Sequence, residues 1–280
     1  MRFAHGIWVV LAGLTIALVS LRPVAAAEIL PVFDAHLHYS HDALGPVPPE
    51  RAIAIMRQAG LRRAMISSSD DDGTQKLYAL APDLVIPVLR PYRKRSDIST
   101  WVRDEAILVY LSDRLARYRY AGIGEFHVYG ADADLPVVRR MVQMAKERGL
   151  FLHLHGDAEA VDRVFVQDPA ARILWAHSGF DRPEKVRTML EKHPRLWADL
   201  AFRNDQASNG TVDAGWRAVF LAHPDRFLLG TDTFTPERWH YVTEHAAYAR
   251  GWLADLPAEV AQRIAWRNGE ELFGHALRPK

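Results

Sequence analysis

The sequence predicts an α/β protein built as a single (β/α)8 barrel of the TIM type, and three observations carry that expectation. Eight short apolar runs, near residues 30–36, 63–67, 84–89, 120–126, 150–155, 172–177, 196–201 and 226–231, each have the length of a buried parallel strand. Amphipathic helical stretches alternate with them, among them 49–58, 104–118, 135–148, 183–192 and 215–221; several open on Pro or an acid and close at Gly or Pro. Residues 28–280, left once an N-terminal leader is set aside, number 253, close to the ~250 typical of such barrels. Eight alternating units favour a closed barrel over an open doubly wound sheet. The tail, 257–273, reads as one final helix packed on the barrel exterior.

The leader is residues 1–27. It has Arg2 near its start, an apolar stretch from Ile7 to Leu21, and then Ala25-Ala26-Ala27. This is the pattern of a secretory signal peptide cut before Glu28, which sends the mature chain to the periplasm or outside the cell. An uncleaved anchor is the alternative, but a bilayer span needs roughly 20 apolar residues. Cleavage takes Arg2 and Arg22 and no acid, so the formal charge passes from +1 to −1. A near-neutral chain has no broad field for polyanions, which gives nucleic-acid or membrane-surface binding no support. The absence of cysteine excludes disulfides and thiolate metal sites, so an exported chain is held by its core alone. At 49% apolar residues, one domain of this length can supply that core.

Several strand-like runs end on metal-type residues. The first closes as Asp34-x-His36-x-His38, and residues two apart in a strand share a face, so His36 and His38 can hold one ion together. The fourth closes on Glu125, a carboxylate able to bridge two ions or ligate one; the competing reading is a buried Glu paired with a barrel arginine. None of the six lysines lies at a strand end, leaving Glu125 the bridging candidate. His127 shares its face and is read as substrate-facing. In the fifth run His155 lies nearer the mouth and is the ligand, with His153 one layer deeper as a hydrogen-bonded core histidine. His177 ends the sixth run and Asp232 the eighth. Parallel strands of a barrel bring such carboxyl ends to one mouth. The metal set is therefore His36, His38, Glu125, His155, His177 and Asp232, holding one or two divalent ions. Zinc is the first choice for a histidine-rich site, with Mn²⁺ or Fe²⁺ able to use the same ligands. Asp232 is the proposed general base, and His177 the second catalytic residue.

These residues, in this order, resemble the amidohydrolase superfamily. The resemblance spans the mature chain, including Asn268-Gly-Glu-Glu-Leu-Phe273, which looks like that family's C-terminal signature. Phe33-Asp-Ala-His-Leu-His38 and Leu228-Leu-Gly-Thr-Asp-Thr-Phe234 are similar to the amidohydrolase-related (amidohydrolase 2-like) branch. That branch includes hydrolases of small esters, lactones and amides as well as metal-dependent decarboxylases and hydratases. Gly124-Glu-Phe-His127 is also similar to the strand-four glutamate of the TatD-type nucleases. Membership implies the architecture and the metal chemistry more firmly than the substrate.

Substrate selection is expected from the loops that follow the strands. Arg90 opens a basic cluster with Tyr92, Arg93, Lys94 and Arg95, and Arg203 follows the seventh run; either can clamp a carboxylate or phosphate, or serve a solvated turn. The stretch from Ser67 to Gly73 lines the mouth or forms a turn and helix cap. The leading expectation is a metal-dependent hydrolase of a small, possibly anionic molecule. A lyase on the same scaffold, which needs one ion and an anion clamp, is the alternative. A TatD-type nuclease and a non-catalytic metal-binding barrel stand behind these. Oligomeric state is not legible.

Overall fold

Eight parallel strands form a nearly closed barrel in this computed structural model, which describes Met1 and residues 29–274. Residues 2–28, which hold all of the proposed leader but Met1, and the last six residues lie outside the described residues. In chain order the strands are Val32–His38, Leu61–Ser67, Val85–Leu89, Gly122–His127, Phe151–His155, Ile173–Trp175, Leu196–Asp199 and Phe227–Leu228, each paired in parallel with the next. Hydrogen bonds from Ala35 N to Leu229 O and from Asp232 N to His36 O bring the eighth run back to the first.

A helix follows every strand: Pro49–Gln58, Asp72–Leu80, Ala106–Arg117, Pro136–Arg148, Ala158–Gln167, Pro183–Lys192, Ala214–Ala222 and Val242–Leu253. Proline opens three of them, where its missing N–H costs nothing. Asp157 and Asp213 cap two more through their carboxylates. The larger apolar core fills the layer between strands and helices. Among the described residues, no helix is long and apolar enough to cross a membrane.

A second apolar cluster gathers Phe33, Ala35, Met65, Ile86, Val88, Phe151, Leu174 and Leu228 from six strands together with Phe273. Residues from so many strands can meet only inside the barrel, and they form its floor. The tail corrects the expectation of an exterior helix. Its helical path, Ala258–Gln262, a π turn at Arg263–Arg267 and then Asn268–Phe273, runs against the first and eighth strands. Phe273 enters the interior, its ring centroid 4.5 Å from Phe151 and 6.1 Å from Phe33. Gly269 is required there, because a Cβ would stand 2.3 Å from the Phe33 ring.

Pairing between the first two strands shifts register between Asp34 and Leu37. Strict alternation from Phe33 and Ala35, both inside, would aim His36 and His38 outward. The irregularity re-aims them at the mouth, the usual consequence of a bulge beside a site. The fourth strand shifts between Gly124 and Phe126, under Glu125.

Candidate active site at the barrel mouth

The mouth is built on strand ends, and its histidines are fixed by what their outer ring nitrogens touch. His36 Nδ1 lies 3.1 Å from Asp199 Oδ2, His38 Nδ1 lies 3.0 Å from the Ser67 carbonyl, and His177 Nδ1 lies 2.9 Å from the Ala201 carbonyl. Each partner only accepts, so each Nδ1 carries the hydrogen and each Nε2 presents a lone pair. These Nε2 atoms converge. Those of His36 and His38 are 3.1 Å apart, and Asp232 Oδ1 stands 3.6 and 3.4 Å from them. Glu125 lies 3.5, 3.3 and 3.5 Å from the Nε2 atoms of His36, His38 and His177.

His155 joins through its other nitrogen, Nδ1, 2.6 Å from Glu125 Oε1. His36, His38, Glu125, His177 and Asp232 thus gather at the mouth, while His155 groups with Glu125 and His127 to one side, and His177 is presented by a tight left-handed turn after its strand rather than by the strand end. Three lone pairs and two carboxylates facing one another in a buried site repel unless a positive charge sits among them. The donor set therefore fits a divalent cation, held by His36, His38 and Asp232, or by His36, Glu125 and His177.

Electrostatics point the same way. Burial alone would lower the pKa of His36, but Asp199, Glu125 and Asp232 together hold it well above that of an ordinary histidine. Burial opposes the charge of Glu125, yet His127, His36, Arg90 and His155 keep its carboxyl well below the usual range. Asp232, pushed up by burial and down more strongly by His36 and His38, is held at about 2.

Asp199 is the residue that the sequence reading missed. Its Oδ2 takes His36 Nδ1 and His153 Nε2, the latter at 2.9 Å, and its Oδ1 accepts the backbone N–H groups of His177 and Ala201 at 2.8 and 3.0 Å. His153 is the hydrogen-bonded core histidine expected, and burial lowers its pKa to about 4. Asp34 ties the first strand to the eighth, accepting from Thr231 N and Oγ1 and from His36 N.

Two expected anion clamps have other partners. Arg90 is buried, with Nη2 2.6 Å from Glu125 Oε2 and Nε 3.2 Å from the Glu125 carbonyl, so it balances the cluster's own carboxylate. Elsewhere in its loop Arg93 pairs with Asp97 and Asp104, and Arg95 with Asp42. Arg203 spends its donors on the carbonyls of His177 and Asp181 and on Asp205, and lies over the Trp216 ring. His127 remains at the rim, its Nδ1 3.0 Å from Tyr92 Oη and its ring stacked 4.0 Å from His155. Burial drives its pKa down to about 3, against the pull of Glu125. Of the Ser67–Gly73 stretch, Ser67 reaches the site and Asp72 begins a helix.

Around this centre stand exposed aromatic side chains, Tyr129, Phe180, Phe202 and Phe234. Phe180 stacks on His177 at 4.5 Å, and Phe202 meets Phe234 at 6.0 Å. Phe180, Phe202, His177 and Asp232 all have positive φ, a conformation that costs a non-glycine residue energy and clusters at functional sites.

Comparison with known proteins agrees with this architecture. No curated protein matches the chain. Among solved structures, it resembles the TIM-barrel protein Bb4693 of Bordetella bronchiseptica at 15% identity and a TM-score of 0.59, covering 89% of this chain and 100% of that one. It also resembles a candidate 2-pyrone-4,6-dicarboxylic acid hydrolase of Pseudomonas putida at 16% identity and a TM-score of 0.58, with the same coverage. A TatD family hydrolase of Entamoeba histolytica aligns at 10% identity and a TM-score of 0.55, over 86% of this chain and 99% of that one. Likenesses this distant speak for the fold. The family model described as Amidohydrolase matches residues 33–275, and the chain belongs to that family.

Proposed function

We propose that this protein is a metal-dependent hydrolase of a small ester, lactone or amide. One observation carries the reading: a carboxylate oxygen stands open beside the buried cluster. Asp232 Oδ1 faces His36 and His38, while Oδ2 has no hydrogen-bond partner among the described residues. Its side chain is 11% exposed, against 4% for Glu125 and 0% for Asp199. A divalent cation at this site supplies Lewis acidity toward a carbonyl oxygen and lowers the pKa of water. Asp232 accepts the proton of the attacking water and returns it to the leaving group. His177, held by Ala201 and facing Glu125, is the second proton carrier. The exposed aromatic rim supplies apolar contact for the acyl portion. Arg90, by neutralising Glu125, favours one ion over two. That same feature supports the lyase alternative, which also needs a single ion.

The test is a screen of the purified protein, loaded in turn with Zn²⁺, Mn²⁺ and Fe²⁺, against esters, lactones, amides and small aromatic acids. Asp232→Asn is run on whatever substrate turns over. Hydrolysis reduced by about 10²–10⁴ in the variant is expected of a lost general base. Near wild-type turnover would remove Asp232 from that role and move the lyase, with His177 as acid/base, ahead.

A further inference from the structure

Six rings form one arc around the cation cluster. From Phe234 the line passes through Phe202, His177, Phe180 and His155 to Tyr129, with successive centroids 6.0, 6.5, 4.5, 6.0 and 6.1 Å apart. The two histidines belong to the site, and the other four side chains are exposed; Tyr129, Phe180 and Phe202 are each more than half open to solvent. A lone exposed apolar side chain is ordinary, but a contiguous group of them marks a binding surface. Two of these rings also stand on a costly backbone. Phe180 and Phe202 have φ of 53° and 54°, where a bulky residue is an outlier and strain marks a functional site. A ring left in water on a backbone that disfavours it is not there for packing alone.

Charge at the same mouth is already matched. Four arginines touch the cluster or its rim. Arg90 sits on the Glu125 carboxylate, Arg203 on Asp205, and Arg95 on Asp42 and the Phe234 carbonyl. Arg238 gives Nε and Nη2 to the carbonyls of Asp232 and Thr231, packs over Phe202 and Phe234, and has Asp232 and Asp34 acting on its charge. A substrate carboxylate would have to displace or share these partners. With a divalent cation bound, its charge and those of Arg90 and Arg238 equal those of the Asp34, Glu125, Asp199 and Asp232 carboxylates. The charges nearest the cluster then cancel, and nothing there draws an anion.

We propose that the substrate is uncharged and carries an aromatic acyl group, whose ring lies on this arc against Phe180 and Phe202. The inference rests on the hydrolase reading for the carbonyl beside that ring, and it replaces the anionic substrate that the sequence suggested. A saturated group would gain burial on the arc but not the stacked and edge-to-face contacts, each worth about two- to tenfold in affinity beyond area.

Methyl ketones, which cannot be hydrolysed, test it by calorimetric titration of the zinc-loaded protein. The probes are acetophenone, acetylcyclohexane with the ring saturated, and 3- and 4-acetylbenzoate with a charge added. Acetophenone should bind at least about twofold more tightly than acetylcyclohexane. It should exceed each acetylbenzoate by at least about fivefold, the cost of taking a polar group to an apolar surface without a partner. Phe180→Leu and Phe202→Leu keep apolar bulk and remove the ring, and both side chains are exposed, so neither change threatens the fold. Each should weaken acetophenone by about two- to tenfold and leave acetylcyclohexane within about twofold. The proposal is overturned if acetophenone does not bind, if acetylcyclohexane or either acetylbenzoate binds as tightly, or if both variants bind acetophenone like wild type. Binding is measured without turnover, so the two readings fail separately. Inertness of every ester, lactone and amide would sink the hydrolase and leave this selectivity standing, whereas tight binding of an acetylbenzoate would overturn the uncharged substrate and leave the hydrolase standing.

Discussion

The Nε2 atoms of His36 and His38 stand 3.1 Å apart while their Nδ1 atoms donate to Asp199 and to the Ser67 carbonyl. Two lone pairs at that separation need a positive charge between them. In the ion-free protein the three carboxylates around His36 favour a proton there against burial and raise its pKa well above that of an ordinary histidine. A divalent cation displaces that proton. Zinc binding near pH 7 should therefore release about one proton per chain, because the ligands must be deprotonated. Calorimetry in buffers of different ionisation enthalpy measures it; release of none would mean that His36 is neutral before the ion arrives.

Asp199 sets the orientation of His36 and pins the turn that carries His177. Asp199→Ala should lower metal affinity by about 10–100-fold, the cost of losing an outer partner of a ligand. It should also destabilise the fold, since it leaves buried donors unpaired. Competition with a chromogenic chelator reads the first effect and a thermal melt the second. Unchanged affinity would confine Asp199 to packing.

Arg90 separates two roles cleanly. As the partner of Glu125 it holds a buried charge, and Arg90→Met should cost about 3–5 kcal/mol of stability together with metal affinity. As a substrate clamp its loss would raise KM and leave melting untouched. Urea denaturation of the variant beside its kinetics distinguishes the two, and the pairing with Glu125 predicts the first.

Phe273 plugs the floor of the barrel, so Phe273→Ala should cost about 3–5 kcal/mol in urea unfolding. A loss under about 1 kcal/mol, the range of an ordinary surface change, would show that the tail is dispensable there.

The strand ends were legible because His38, Glu125, His155 and Asp232 each terminate an apolar run, a pattern that survives without knowledge of the fold. Asp199 was not, because Leu196-Trp-Ala-Asp-Leu-Ala201 has apolar residues on both sides of it and reads as continuous strand. A buried Glu125 paired with a barrel arginine was the competing reading, but which arginine was not legible, because the pairing with Arg90 spans 35 residues and leaves no local trace. His36 and His38 were correctly given one face, but the register shift that turns this face inward arises from pairing with the second strand. The tail's entry into the floor likewise depends on Phe33 and Phe151, more than a hundred residues upstream.

Metal content is the most direct test of the central claim, that His36, His38, Glu125 and Asp232 build a cation site. Protein incubated with Zn²⁺, Mn²⁺ or Fe²⁺ and then desalted is measured by inductively coupled plasma mass spectrometry, beside His38→Ala treated identically. Wild type should retain about one divalent ion per chain and the variant none above background. Wild type that retains none of the three metals, or His38→Ala that retains as much as wild type, would contradict the account.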